Sequence, residues 1–267
     1  MLRGVSTLIG QTLRLRRTSL LAWSISLAGL VLTYVAMFPS IEGIDFEEIL
    51  KQYPKEMLRA FGFDNTITQL STAIGFINTE LFGFMLPLAI VFLPVGIIVK
   101  MTSRAEENGY LDALLTAPIA RWQLIVGSSV AATVGMAVPI IAMVATGLLT
   151  AAIAGVDLTF SEIGGSALSL LPIGALGGSI AVLVVGASRR HGIATAVAAG
   201  VIVVMYLMNV LAGFIKFFDD TKGLSIFHYY SDWINKGIVW PEFFAFLAIA
   251  VVLTAVGAVL FERRDIG

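Results

Sequence analysis

The sequence predicts an all-α membrane protein with six transmembrane helices. Three observations carry that prediction. The chain is 58% hydrophobic and only 13% charged, against roughly a quarter charged in an average soluble domain. Six stretches of nineteen or more residues hold no Asp, Glu, Lys or Arg. None of them alternates apolar and polar residues as a membrane β-strand does, which excludes a β-barrel. A soluble protein this apolar would expose large sticky patches, and charge-free runs of this length exceed a buried core helix of a soluble bundle. Residues 1–267 read as one transmembrane domain with no room for a soluble catalytic domain.

The first span, 20–38, follows nineteen residues and is not followed by a small-residue cleavage site, so it reads as a signal anchor. Residues 39–80 are acidic. Within them Ile49, Leu50, Tyr53, Met57, Leu58 and Phe61 recur near helical spacing, predicting a short amphipathic helix over 45–61 that stops at Gly62. The second span is 81–99. The third, 122–154, is long enough that it must tilt or project beyond ~30 Å of hydrocarbon. A short turn leads to the fourth span, 163–187, where Gly174, Gly177 and Gly178 allow close helix approach. The fifth, 193–215, follows a similar stripe, Gly192, Ala196 and Gly200. Pro87, Pro94, Pro139 and Pro172 each remove a backbone hydrogen bond inside a span and favour bends.

Residues 216–242 carry Phe217, Phe218, Phe227, Tyr229, Tyr230, Trp233 and Trp240. Such rings form either an interfacial belt or a gate above a pathway. The sixth span is 243–261. No repeat relates the first three spans to the last three.

Basic residues concentrate on cytoplasmic loops. With the N-terminus inside, inner segments hold eleven of the seventeen basic residues, and outer segments hold thirteen of the eighteen acids. Both termini are therefore expected to be cytoplasmic, in a multi-pass plasma-membrane protein. The net charge of -1 gives no sign of a nucleic-acid partner.

Several chemistries are missing from the sequence. No Walker A pattern is present, and the absence of Cys removes thiol metal sites. His191 and His228 fall on opposite sides and cannot share a metal. No carboxylate inside a span offers a proton relay. No Ser, His and acid share one face, so no catalytic residue, metal or cofactor is assigned to this chain. Asn209 is nearly the only strongly polar side chain deep in a span; it suits an interhelical hydrogen bond or contact with a ligand.

One loop is distinctive: Thr102-Ser-Arg-Ala-Glu-Glu-Asn-Gly-Tyr-Leu-Asp-Ala-Leu-Leu-Thr-Ala-Pro-Ile-Ala-Arg121. The order of Glu106, Glu107, Gly109, Asp112, Leu114, Leu115, Pro118 and Arg121 resembles that in permease subunits of ABC type-2 exporters. Tyr110 stands where Thr is usual, and Asp112 where Glu is usual. Arg14, Arg16 and Arg17, before the first span, look like the family's interfacial elbow helix. Leu224–Tyr230 is similar to an outer motif of its antibiotic and multidrug exporters, with Ile226 for the usual Pro. Phe261–Ile266 resembles its closing motif. The resemblance covers the whole chain.

The resemblance implies that the 102–121 loop is a cytoplasmic coupling helix docking on a separate ABC ATPase subunit. Two such ATPases would bind ATP and Mg, and a second six-span permease, identical or not, would complete the membrane part. The implied function is ATP-driven export, and the apolar spans favour a lipophilic substrate. Met205, Asn209 and Phe214 are possible pathway residues, as are Phe82, Phe84, Met85 and Met208, although a lipid-facing or core position suits each of the aromatic and Met side chains better. A non-transporting scaffold or sensor subunit, or a secondary carrier, is the alternative.

Overall fold

The computed structural model describes residues 2–41, 72–102, 120–188 and 191–263. The amphipathic helix expected over 45–61 and the loop residues 103–119 lie outside the described residues.

The described residues are helical almost throughout. α1 is Leu2–Leu15 and α2 Arg17–Ile41. α3 is Ala73–Met101, α4 Arg121–Ala154 and α5 Phe160–Ala187. α6 is His191–Leu211, α7 Lys216–Thr221, α8 Ile226–Lys236 and α9 Trp240–Arg263. Six of these helices, α2 to α6 and α9, are long and apolar enough to cross a membrane.

The prolines punctuate the spans in a regular way. The helix is interrupted at Val91, Met136 and Ser169, each three residues before a proline: Pro94, Pro139 and Pro172. A proline ring clashes with the carbonyl four residues back and supplies no N–H to it, so the turn ahead of it opens. Pro87 follows a π-helical stretch, Asn78–Met85, that lies within α3.

The glycines of α5 bring neighbours into backbone range. A β-carbon at Gly174 would collide with Met136, at Gly177 with Val91, and at Gly178 would press on Ile98 and Pro94. This is the close approach that the sequence suggests for those three. A tighter crossing joins α5 to α9. There a β-carbon at Gly186 would meet the carbonyl of Gly257 at 2.6 Å, and one at Gly257 would meet the Val182 carbonyl at 2.9 Å. The stripe in α6 is different. Ala196 and Gly200 are exposed, and nothing lies within 4 Å of a β-carbon on Gly200. The buried face of α6 is formed by Ala194, Ala198 and Ile202 instead.

Two boundaries move by four residues or more. α3 begins eight residues before the expected second span, because Asn78 is hydrogen-bonded inside the bundle and so the helix continues past the charge of Glu80. α6 ends at Leu211, four residues short of the expected limit. The amides of both Phe214 and Ile215 fold back onto the Leu211 carbonyl, so Phe214 sits in a turn.

Chain direction sorts the ends of the bundle. At one end are the junction of α1 and α2, the α3–α4 connection, the α5–α6 connection and the C-terminus of α9. At the other are the α4–α5 turn, α7 and α8. Gly155, at φ +71°, ends α4 there, and Thr159 and Glu162 cap each other to start α5 (Thr159 N to Glu162 Oε2, 2.8 Å).

Candidate functional site

Of the loop residues singled out in the sequence, Glu106, Glu107, Gly109, Asp112, Leu114, Leu115 and Pro118 lie outside the described residues. The loop's two ends are described. On the exit side Arg121 opens α4, and the side chain of Gln123 turns back so that its Oε1 accepts from the Ala120 amide at 2.9 Å. Gln123 itself is buried. On the entry side Arg16 reaches across, its Nη2 lying 3.7 Å from Met101 Sδ. α1 seats Leu8 against Gly127 and Leu13 against Gly135 of α4. Arg14 and Arg17 are exposed on either side of the α1–α2 break. The three arginines are therefore brought to the end of the bundle that carries the 103–119 connection.

The possible pathway residues do not converge. Met205 and Met208 line a shallow apolar groove on α6 of about 470 Å³, with Val197, Gly200, Val204 and Leu224. Asn209 is half-buried beside it. Phe214 is 53% exposed in the turn beyond α6. Phe84 and Met85 are also exposed, whereas Phe82 is fully buried.

The opposite end of the bundle holds a polar assembly that sequence reasoning missed. Its centre is α8, whose Ile226, Phe227, Tyr230 and Trp233 are buried. Part of the aromatic segment is thus core packing rather than an outward belt; Phe217 and Trp240 remain exposed. Ser225 caps the helix, accepting from the Phe227 amide at 3.2 Å while donating to the Met205 carbonyl at 2.6 Å. Trp233 Nε1 donates to Glu242 Oε2 at 2.9 Å. Asn78 Nδ2 donates to the Ile234 carbonyl at 2.6 Å, and its Oδ1 accepts from Ser166 Oγ at 2.7 Å. Tyr230 Oη donates to the Phe82 carbonyl at 2.8 Å. Burial pushes the Tyr230 phenol well above its usual range, so it stays a neutral donor.

α8 is thereby tied to α3, α6 and α9, and through Asn78 to α5. Beside these bonds lies a cleft of about 290 Å³, lined by Asn78, Ser166, Glu162, Thr72 and Trp233 among others. Asn78 escaped notice because it precedes the charge-free run; the available signal was a lone Asn five residues before Gly83 in a Gly83-x-x-x-Pro87 spacing.

The two ends also differ in charge. Arg14, Arg16, Arg17, Lys100, Arg121 and Arg263 lie at the loop end, with Glu262. Glu80, Asp157, Glu162, Asp219, Asp220 and Glu242 lie at the α8 end, with Lys216, Lys222 and Lys236.

Comparison with known proteins gives one family. The model described as "Multidrug efflux system permease Rv1217c, C-terminal domain" matches residues 5–262. No curated protein matches the chain.

Proposed function

The chain belongs to the family of multidrug efflux system permeases that this model describes, and from that premise we propose that it is the membrane subunit of an ATP-driven exporter of the ABC type-2 kind. In this reading the loop end of the bundle faces the cytoplasm, and so do both termini. Residues 102–121 form the coupling helix: Glu106 and Glu107 meet donors on a separate ATPase subunit, while Leu114 and Leu115 pack into its groove. α1 lies at the interface as the elbow helix, with Arg14, Arg16 and Arg17 at headgroup depth. Two copies of the ATPase hold ATP and Mg. A second six-span permease completes the route, and a lipophilic substrate leaves the cytoplasm through it.

The observation that carries this reading is the charge polarity of the bundle. Helix packing collects the described arginines at the end where the loop emerges, as the positive bias of cytoplasmic loops requires. The exposed apolar groove on α6, with Met205 and Met208 in its wall, suits a face that meets an apolar substrate or the second permease. Asn209 and Phe214 flank that face toward the α8 end.

The test is reversal of the loop charges in the assembled transporter. Glu106→Lys with Glu107→Lys should abolish export and ATPase co-purification while leaving membrane insertion intact. Wild-type export by that double variant would remove the coupling role. Reagent labelling of the loop from outside intact cells would remove the orientation.

A further inference from the structure

α8 and the π-helical stretch of α3 lie side by side in opposite directions, and their pairing is reciprocal. Asn78 and Phe82 are one turn apart on α3; Tyr230 and Ile234 are one turn apart on α8. Asn78 donates to the carbonyl of Ile234, and Tyr230 donates to the carbonyl of Phe82. Each helix gives one side-chain donor and one backbone acceptor.

Both acceptors are free for definite reasons. Ile234 is in the last turn of α8, where carbonyls have no partner within the helix. Phe82 owes its free carbonyl to the π register. There the Leu86 amide reaches back to Leu81, and the next residue, Pro87, has no N–H to offer. In an α register the Leu86 amide would pair with Phe82 instead, and the carbonyl left open by Pro87 would be that of Gly83. While residues 78–85 stay in the π register, no helix amide competes with Tyr230 for that carbonyl.

Gly83 allows that register. The π turn brings the Asn78 carbonyl to 3.0 Å from where a β-carbon on Gly83 would stand, closer than a side chain sits comfortably. π-turns within α-helices carry one extra residue and recur at functional sites. Loss of the extra residue turns the flanking segments relative to each other by about 100°. That rotation would swing Asn78 away from both Ile234 and Ser166 and widen the cleft beside them.

We propose that this clasp is the latch of the gate at the α8 end of the transport route, released when residues 78–85 pass from the π to the α register. The proposal rests on the exporter reading above. It makes Asn78 and Tyr230 positioning residues: they hold the gate and touch no substrate.

The chain has no Cys, so one introduced thiol can report on the gate. Ala167→Cys places it at a fully buried position next to Ser166. Maleimide labelling is followed in membrane vesicles carrying the permease with its ATPase, with and without ATP. Labelling should be slow at rest and accelerate during ATP turnover. Tyr230→Phe, which removes one buried hydrogen bond, should raise the resting rate about tenfold. Gly83→Ala alters no clasp side chain but crowds the π register, and it should raise the rate too.

An unchanged resting rate in both variants overturns the latch, even if ATP still accelerates labelling and the exporter reading survives. A rise with Tyr230→Phe alone overturns the register exchange. A rise in both variants with no response to ATP keeps the latch and discards the exporter reading. Should Tyr230→Phe fail to accumulate in the membrane, Gly83→Ala decides the question.

Discussion

α5 and α6 are equal in mean hydropathy, yet 72% of the span in α5 is buried inside the bundle against 17% in α6. Greasiness therefore tells which segments enter the membrane and says nothing of what they touch there. In lipid no hydrophobic drive separates helix from helix, so contact goes to the surfaces that can approach most closely. α5 carries Gly174, Gly177, Gly178 and Gly186 on faces met by α3, α4 and α9. α6 has small residues too, but its Ala196 and Gly200 face outward, among Val197, Val203, Val204 and Leu207. The first helix is a hub inside one chain. The second keeps its small-residue face for whatever lies outside that chain.

The sharpest way to break this comparison is to fill the closest crossing. Gly257→Ala places a methyl group against the backbone of Val182, and backbone cannot rotate aside as a side chain can. Overpacking of this kind costs about 1–3 kcal/mol, beyond the roughly 1 kcal/mol gained from helix propensity. Thermal unfolding of the purified protein should show a clear loss. An unchanged midpoint would mean that the α5–α9 crossing is looser than its glycines suggest.

A smaller effect is expected at the other polar centre. The Tyr230 phenol is held protonated above its ordinary range by burial. The unfolded chain ionises near pH 10, and the folded chain only at higher pH. The stability linked to this group is therefore complete below about pH 10 and is lost as pH rises through the interval above it. Unfolding scans from pH 8 to 11 should show a steeper decline for the wild type than for Tyr230→Phe. Parallel declines would deny that the phenol is buried in the folded state.

These differences also mark how far the sequence could be read. All six spans were legible, because a charge in hydrocarbon costs roughly 2.5–3.5 kcal/mol and leaves its absence as a trace tens of residues long. The packing role of Gly174, Gly177 and Gly178 was legible from their spacing, but Gly186 and Gly257 were not. Their partnership joins residues 71 apart in the chain, and no local pattern announces it. The start of α3 was misread because Glu80 ended the apolar run, while the bonds that carry the helix past it come from Ser166 and Ile234. The burial of Phe227, Tyr230 and Trp233 was hidden for a similar reason: an aromatic amphipathic helix has the same composition whether its rings meet lipid headgroups or a bundle end. Of the candidate site, the sequence showed the arginines and the loop. The clasp left only the faint trace of a lone Asn78 ahead of Gly83 and Pro87, because its pairing depends on a helix register.

The subtlest prediction concerns the outward face of α6. Gly200→Ala meets no atom within 4 Å in the single chain, so the substitution should leave the unfolding midpoint of the isolated permease unchanged or raise it slightly, by under about 1 kcal/mol of helix propensity. If that face instead packs against a second permease, a methyl group at a close crossing would push the two copies apart. The two measurements separate cleanly. Unfolding of the monomer reports the environment within the chain, and the share of dimer in native mass spectra or cross-linking reports what lies beyond it. A monomer of unaltered stability with a reduced share of dimer assigns α6 to the interface between permeases. Unaltered stability with an unaltered dimer leaves the groove of Met205 and Met208 to lipid or to substrate, and a destabilised monomer would contradict the packing of α6 described above.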